Sequence, residues 1–388
     1  MSLNKSPQNI PVVYYHSIGP VNRNWNRSFL TLDLPYFEDQ LRFFKRNFQP
    51  IFFKEYWNIR NNLQLAVKNP IVLSFDDGFL DNWIWAFPLL KKYGIKATIF
   101  VCPEFVDLKN TIRPNLEDYW SKKATLEEVK KIGYLSWDEM KEMLKSGLID
   151  IQSHTMSHTK YFISDKLKGF HHPANDCLYP VGNIFPELKP YHILNEQFEK
   201  LLPYGYPLFE EASSVCARKV KINQEFISDT INALARYDFK NYNSETAMFH
   251  ISKIFDNYKS TDRLIDEIET DAAQLKRIQY EIIDSKKSIE ANLNIPVEFL
   301  CWPHGDNNDL VHNIALEAGY LATTSGSKTW QHDRADRIPA RIGVHPVSNS
   351  RFLTLMKLKY KTRSAQNRVP YRQVNAFYNI VKYGKTNV

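Results

Sequence analysis

Short apolar segments alternate with segments of helical character along much of the 388-residue chain, and this alternation constrains the fold more than any other feature. The apolar segments predict strands near residues 11–16, 71–76, 97–102, 149–151, 297–301, 321–324 and 340–345. Helices are predicted between them near residues 35–44, 83–93, 136–147 and 309–318. Strands that alternate with helices are typical of a parallel sheet or barrel with crossover helices. We therefore predict an α/β fold.

Residues 161–260 interrupt this alternation, since they are rich in Pro, Tyr and Asn and show no clear period. A loop of this length without structure of its own is unusual in a compact domain, so we predict a folded insertion that covers the site as a lid or selects the substrate. Tyr204 and Tyr206 within it are candidate platforms for stacking on a sugar ring. A long helix is expected to follow, from about residue 261 to 292.

This organisation divides the chain into four parts. The predicted parts are a first half of the sheet or barrel (1–160), the insertion (161–260), a second half (261–350) and a basic C-terminal helix and tail (351–388). The tail holds nine Lys and Arg and no Asp or Glu, whereas the whole chain carries +7. A solvated helix face with a loose end explains this charge first, and contact with an anionic surface is the alternative. No motif for nucleic-acid recognition accompanies the charge, so we expect no nucleic-acid partner.

The compartment is inferred from apolar runs and cysteines. No apolar run is long enough to span a bilayer, and the first seven residues lack the apolar core of a signal peptide. Four scattered cysteines, with Cys102 and Cys301 inside apolar runs, indicate buried thiols rather than a disulfide framework. We therefore expect a cytoplasmic protein, and the sequence leaves its oligomeric state open.

Two adjacent carboxylates, Asp76 and Asp77, end the apolar strand predicted at 71–76, and Gly78 lets the chain turn there. By themselves they are typical of a turn at a strand end. Two like charges this close raise each other's proton affinity unless a cation lies beside them. The alternative is that one acid binds a metal ion and the other transfers a proton.

His154 and His158 are four residues apart, a separation that lets two imidazoles bind one ion. Two His and one carboxylate with an open position suit Zn²⁺, and also Fe²⁺, Co²⁺ or Mn²⁺. His16, Asp76, Asp77 and His154 all follow predicted strands, whose carboxyl ends gather at one end of such a fold. The combination predicts a metal site with a separate carboxylate for proton transfer.

The segments 74–78 (Ser-Phe-Asp-Asp-Gly) and 154–158 (His-Thr-Met-Ser-His) resemble the first two motifs of the polysaccharide deacetylases, the NodB-homology enzymes of carbohydrate esterase family 4. The resemblance extends from residue 12 to about 345, apart from the insertion, and implies a distorted (β/α) barrel that hydrolyses the N-acetyl group of a sugar. By position in these motifs, Asp76 would be the general base. The residues implied as metal ligands are Asp77, His154 and His158.

Residues 301–305 (Cys-Trp-Pro-His-Gly) resemble the later family motif, usually Arg-x-Pro-Tyr. The residues that this match implies at the substrate and the oxyanion are Trp302, Pro303 and His304. The backbone N–H of His304 would help to hold the oxyanion. Cys301 replaces the arginine that normally holds the base aspartate, and the candidates to replace that arginine are Arg341 and Arg113.

The general acid of the family is a histidine in a Leu-x-His motif, which residues 341–345 match only approximately. Residues 13–16 (Val-Tyr-Tyr-His) instead resemble a subgroup in which the strand with this histidine is the first strand of the chain, as in the biofilm poly-N-acetylglucosamine deacetylases. We therefore predict His16 as the general acid, with His345 as the alternative.

The function implied by the resemblance is metal-dependent removal of N-acetyl groups from a sugar or polysaccharide. One alternative is a related hydrolase of C–N or acyl bonds that acts on a short lipid-linked or nucleotide-linked sugar. The other is a non-catalytic glycan-binding member, which the departure at Cys301 suggests.

Overall fold

A computed structural model describes residues 9–21, 25, 27–173, 175, 177–194, 197–239, 243–326, 334–344, 350–371 and 373. The strands in this part of the chain are β1 (Val12–Tyr15), β2 (Ser17–Ile18), β3 (Thr31–Leu32), β4 (Gln49–Ile51), β5 (Pro70–Phe75), β6 (Ala97–Val101), β7 (Ile149–Ser153), β8 (Lys160–Phe170), β9 (Pro207–Ser213), β10 (Val220–Ile222), β11 (Ile265–Ile268), β12 (Phe299–Leu300), β13 (Ala322–Thr324), β14 (Arg337–Ile338) and β15 (Ile342–Gly343).

The α-helices of the described residues are α1 (Leu34–Asn47), α2 (Phe53–Arg60), α3 (Phe87–Tyr93), α4 (Leu116–Trp120), α5 (Leu126–Val129), α6 (Trp137–Lys145), α7 (Leu178–Ile184), α8 (Gln224–Leu234), α9 (Ser244–Ser260), α10 (Asp271–Gln279), α11 (Ser285–Leu293), α12 (Asp309–Glu317) and α13 (Arg351–Ala365). Two π-helical turns adjoin them. The turn Asn82–Ala86 leads into α3, and the turn Tyr280–Asp284 joins α10 to α11.

Nine parallel strands form the central curled sheet, in the order β14-β13-β12-β7-β6-β5-β1-β15, with β4 pairing to β5. Among the described residues β14 and β15 are its edges and do not pair with each other. The three residues between these strands, Pro339, Ala340 and Arg341, connect the two edges of the sheet. The distorted (β/α) barrel predicted from the sequence is confirmed, in this incomplete form.

Local sequence signals set most element boundaries of the barrel. Every residue of β5 is buried, as expected for a parallel strand covered on both faces. Helix α1 begins after Asp33, whose carboxylate accepts the N–H of Leu34. Helix α6 begins at the predicted capping box, in which Ser136 and Glu139 accept each other's backbone N–H.

The segment 161–260 contains its own secondary structure and apolar core. Strands β8 and β9 pair antiparallel, and a cluster around Phe209, Phe226 and Tyr258 packs beside them. The helix predicted from residue 261 is wrong in its first turns, because 265–268 form strand β11, which pairs with β10. The helix begins at Asp271, where the Thr270 hydroxyl accepts the Ala273 N–H.

The C-terminal helix α13 packs against α1, and Arg351 there donates two hydrogen bonds of 2.7 Å to Asp39. All four cysteines are free thiols, of which Cys216 is half-buried and the other three are buried. None of the described helices has the length and hydropathy required of a membrane span.

Candidate active site

An open cavity of about 1030 Å³ lies at the carboxyl end of the curled sheet. The predicted site residues that line it are His16, Asp76, Asp77, His154, His158, Trp302, His304 and Arg341. Three of them directly follow strands, since His16 comes after β1, Asp76 after β5 and His154 after β7. Parallel strands end at the same edge, so residues distant in sequence meet there.

Asp77, His154 and His158 form a cluster of the type that binds a metal ion. The Nε2 atoms of His154 and His158 each lie 3.3 Å from Oδ1 of Asp77. This oxygen is buried and accepts no hydrogen bond. A buried carboxylate oxygen without a donor, facing two imidazole nitrogens, fits a divalent cation with His₂Asp ligation. The three residues therefore suit a divalent metal ion.

Neighbouring groups influence the orientation or ionisation of each of these three residues. His154 Nδ1 lies 2.7 Å from the carbonyl oxygen of Cys301, to which Nδ1–H donates, so the ring is oriented with Nε2 toward Asp77. Burial lowers the pKa of His158 to about 4, which keeps this imidazole neutral. Burial alone would raise the pKa of Asp77, but His158 and His154 outweigh it and hold that pKa far below its usual range.

The backbone turns sharply at the ligands. Asp77, Thr155 and His158 have φ values of 72°, 63° and 43°, in the left-handed region that is costly for residues other than glycine. Gly78 continues the turn with φ 71°. This turn lets the adjacent carboxylates of Asp76 and Asp77 both face the cavity, which a straight strand would not allow. Such strain is concentrated at functional sites.

Asp76 is bound by an arginine. Arg341 Nη1 and Nη2 donate to its two carboxylate oxygens at 2.7 Å each, and Nη1 also lies 3.2 Å from Ser74 Oγ. Burial would raise the pKa of Asp76, but the Arg341 guanidinium more than offsets it, so the pKa lies below its usual value. Asp76 is thus held ionised in a fixed orientation.

The expectation that Arg113 could hold Asp76 is wrong. Its Nε and Nη2 atoms donate to Glu139 at 2.8 and 2.6 Å, and Nη1 donates to Asp107 at 3.1 Å. Glu139 is fully buried at the start of α6, so a cation is needed beside it. Arg113 therefore stabilises the loop before α6 and does not reach the cavity.

His16 also lies near Asp76, with its Nε2 4.0 Å from Oδ2 of that carboxylate. Its side chain is partly exposed to the cavity. His345, the alternative acid, falls outside the described residues. The choice between these two histidines therefore stays a prediction.

The segment 302–304 closes another side of the cavity. Trp302 is buried and lines it, whereas Pro303 is buried and does not line it. His304 has φ 59°, and its ring centroid lies 4.7 Å from that of His158. Its Nε2 is 3.3 Å from the hydroxyl of Tyr179, which belongs to α7 in the insertion.

Sequence reasoning missed Tyr179 and Arg27, which also line the cavity. No local pattern marks either residue, because both come from segments without a clear period. Tyr204 lines a second cavity, beside the first, while Tyr206 packs between the apolar clusters of the insertion.

The chain is similar to known proteins in both sequence and fold. Residues 66–174 match the sequence model of the polysaccharide deacetylase family. YxkH of Bacillus subtilis (strain 168), whose name assigns it to the polysaccharide deacetylases, is 29% identical over 193 residues. That alignment covers 46% of this chain and 58% of YxkH, so the match spans little more than half of the relative.

The solved structure of a de-N-acetylase from Aggregatibacter actinomycetemcomitans has the same fold, with a TM-score of 0.52 and 16% identity. The superposition covers 89% of this chain and 99% of that one. Residues 66–174, which include Asp76, Asp77, His154 and His158, therefore match the sequence model of the polysaccharide deacetylases, and the chain has the fold seen in that de-N-acetylase.

Proposed function

We propose that this protein is a metal-dependent hydrolase that removes N-acetyl groups from a glycan. The observation that carries the proposal is the division between two neighbouring acids. Asp77 faces His154 and His158, whereas both oxygens of Asp76 face Arg341. One carboxylate is therefore free to bind a metal ion and the other to accept a proton, as amide hydrolysis requires.

In this proposal Asp77, His154 and His158 bind a divalent ion, for which Zn²⁺ is the first candidate and Fe²⁺, Co²⁺ or Mn²⁺ the alternatives. Such an ion supplies a Lewis acid for the amide carbonyl and lowers the pKa of water. Asp76 accepts the proton of the attacking water, since each of its oxygens keeps a lone pair beyond the Arg341 bond.

We assign the remaining steps to residues on the other sides of the cavity. His16, within 4.0 Å of Asp76, would donate a proton to the departing nitrogen. The backbone N–H of His304 would donate to the oxyanion, and Trp302 would form an apolar wall beside the acetyl group. The products would be acetate and a free amino sugar.

The second cavity supports a substrate larger than one sugar. It measures about 510 Å³ and shares Arg27, Pro173 and Asn175 with the first, so the two cavities adjoin each other. Trp25 and Tyr204 line it and offer aromatic faces to sugar rings. Because part of this lining comes from residues 161–260, we propose that this insertion selects the glycan. An N-acetylglucosamine polymer is the first substrate to test, as in the subgroup that residues 13–16 resemble.

Two observations bear on the rival functions. A non-catalytic glycan-binding role was suggested by Cys301, but Arg341 supplies a guanidinium to Asp76 from another segment, which removes that reason. The two adjoining cavities favour an oligosaccharide over a short lipid-linked or nucleotide-linked sugar. The cytoplasmic location and contact of the basic tail with an anionic surface remain proposals.

The test combines metal analysis with acetate release over a panel of N-acetylated glycans and short sugar donors. We expect acetate release from an oligosaccharide, loss of release with a chelator and recovery with Zn²⁺. Release only from a short donor would favour the related hydrolase. Glycan binding without acetate release, in protein shown to contain metal, would favour the non-catalytic role.

A further inference from the structure

The loop that connects His154 to His158 is held by a carboxylate from a distant helix. Glu281 Oε2 accepts the backbone N–H groups of Met156 and Ser157 at 3.1 and 3.0 Å, and the Ser157 hydroxyl donates to Oε1. Glu281 is only 1% exposed, so these donors are its main source of stabilisation. The contacts fall between the two histidines and on neither of them.

A local irregularity of the helix presents Glu281 to the loop. The residue lies in the π-helical turn Tyr280–Asp284 between α10 and α11. Such a turn widens the helix by one residue and is frequent at functional sites. Beside Glu281, the Tyr280 hydroxyl donates to Glu104 at 2.7 Å. Of these two consecutive side chains, Glu281 therefore reaches the loop itself and Tyr280 reaches Glu104 beside it.

On the opposite side of the loop, hydrogen-bond donors face its carbonyl oxygens. The Glu104 backbone N–H donates to the carbonyl oxygen of Met156 at 3.1 Å. Lys189 from the insertion pairs with the Glu104 carboxylate, and its Nζ lies 3.5 Å from the carbonyl oxygen of Ser157. The N–H groups of the loop thus face the Glu281 carboxylate, while its carbonyl oxygens face donors.

We propose that Glu281 is a positioning residue for the metal site, which fixes the loop so that both imidazoles face Asp77. This inference rests on the proposed metal binding. Thr155 and His158 have positive φ values of 63° and 43°, a costly backbone that persists only where its surroundings enforce it. The three hydrogen bonds from Met156 and Ser157 to Glu281 fall between these two residues and hold the backbone in this conformation. Loss of such outer contacts typically lowers metal affinity about 10–100-fold.

The experiment measures divalent-metal affinity in the metal-free full-length protein, by Zn²⁺ competition against a chromophoric chelator. Glu281→Leu removes every acceptor, and Glu281→Asp keeps the charge but withdraws the carboxylate by one methylene. Glu281→Gln keeps an oxygen for the two N–H groups, and Ser157 Oγ can accept from its amide. We expect Leu and Asp to weaken Zn²⁺ binding by about 10-fold or more, and Gln by less than about 3-fold.

Glu290→Leu is the matched control, because Glu290 in α11 also accepts a backbone N–H, that of Val297 at 3.0 Å, and pairs with Lys286. It should lower stability and leave Zn²⁺ affinity unchanged. The Co²⁺ absorption spectrum should change in Glu281→Asp and stay wild-type in Glu290→Leu. If Glu281→Leu does not fold, the Asp and Gln variants decide the question.

Wild-type affinity in folded Glu281→Asp, or equal losses in Glu281→Gln and Glu281→Asp, would overturn the proposal. If the wild-type protein itself binds no divalent metal, the proposed function fails instead. The two failures are therefore distinguishable.

Discussion

Arg341 binds both carboxylate oxygens of Asp76 through a fork of two 2.7 Å hydrogen bonds, although 265 positions separate the two residues in sequence. The arginine lies in the three-residue connection between the edge strands β14 and β15. Cys301 occupies the position where the motif it resembles has arginine, and its Sγ lies 3.9 Å from Asp76 Oδ1. Two different segments thus approach the Asp76 carboxylate. The segment with Cys301 carries no cation there, and Arg341 supplies one from the other segment.

Replacing Arg341 tests this compensation. Arg341→Met should lower kcat for acetate release by about 100-fold, because a small displacement of a reacting group can cost that much. Metal content should not change, since Arg341 contacts none of the proposed ligands. The double variant Arg341→Met/Cys301→Arg should recover part of the rate, because a guanidinium would return to Asp76 from the motif position. No recovery in a folded double variant would show that the location of the cation matters as well as its charge.

Substitutions of the two adjacent acids, Asp76 and Asp77, should affect metal binding and turnover differently. Asp77→Ala should lose metal and activity together, because it removes a proposed ligand. Asp76→Asn should keep near-normal metal content and lose turnover, because it removes only the proton acceptor. Metal analysis and acetate release on the same samples check both statements. An unimpaired rate in Asp76→Asn would refute the assignment of the base.

His16 is predicted to be the general acid. His16→Ala should lower kcat by roughly 10²–10⁴-fold with its metal intact, the usual contribution of general acid catalysis. His345→Ala serves as the comparison and should lose much less. Acetate release under saturating glycan measures both variants. If His345→Ala is the crippled variant and His16→Ala stays active, the assignment to the first strand must be dropped.

Lys189 should couple the insertion to the barrel. It is buried and pairs with Glu104, so Lys189→Met leaves a mostly buried carboxylate without its cation. We expect the free energy of unfolding to fall by about 3 kcal/mol. Lys166→Met, which breaks the exposed pair with Glu210, should cost less than about 1 kcal/mol. Urea denaturation measures both, and equal losses would contradict the coupling. Replacing residues 161–260 with a short linker would also remove Lys189, so it should destabilise the loop 154–158.

Asp81 should make stability depend on pH. Burial raises its pKa to about 7, despite hydrogen bonds from Ser17 and Asn82. In the unfolded chain the pKa is about 3.9. Between these values the folded state binds a proton that the unfolded state lacks, so stability falls as pH rises, by at most about 1.4 kcal/mol per unit. Asp81→Asn should lose this part of the decline in urea denaturation between about pH 4 and 7. An equal decline in both proteins would show that Asp81 titrates normally.

The sequence alone determined the features that depend on near neighbours. The capping box at Ser136 and Glu139, the apolar strand before Asp76 and the four-residue spacing of His154 and His158 are local patterns, and each predicted its element or cluster. Such patterns act through hydrogen bonds and side-chain contacts within a few residues, so they can be recognised without the fold.

Tertiary structure decided what depends on distant partners. Residues 265–268 form a strand rather than a helix, because β10 offers a pairing edge that outweighs local propensity. Asp76 is bound by Arg341 because the edges of the sheet bring the two residues together. Arg113 instead forms hydrogen bonds with Glu139. Glu281 reaches the loop 154–158 only through the packing of a π-helical turn. In each case chain folding brings a charge or a backbone edge to a partner that sequence spacing does not encode.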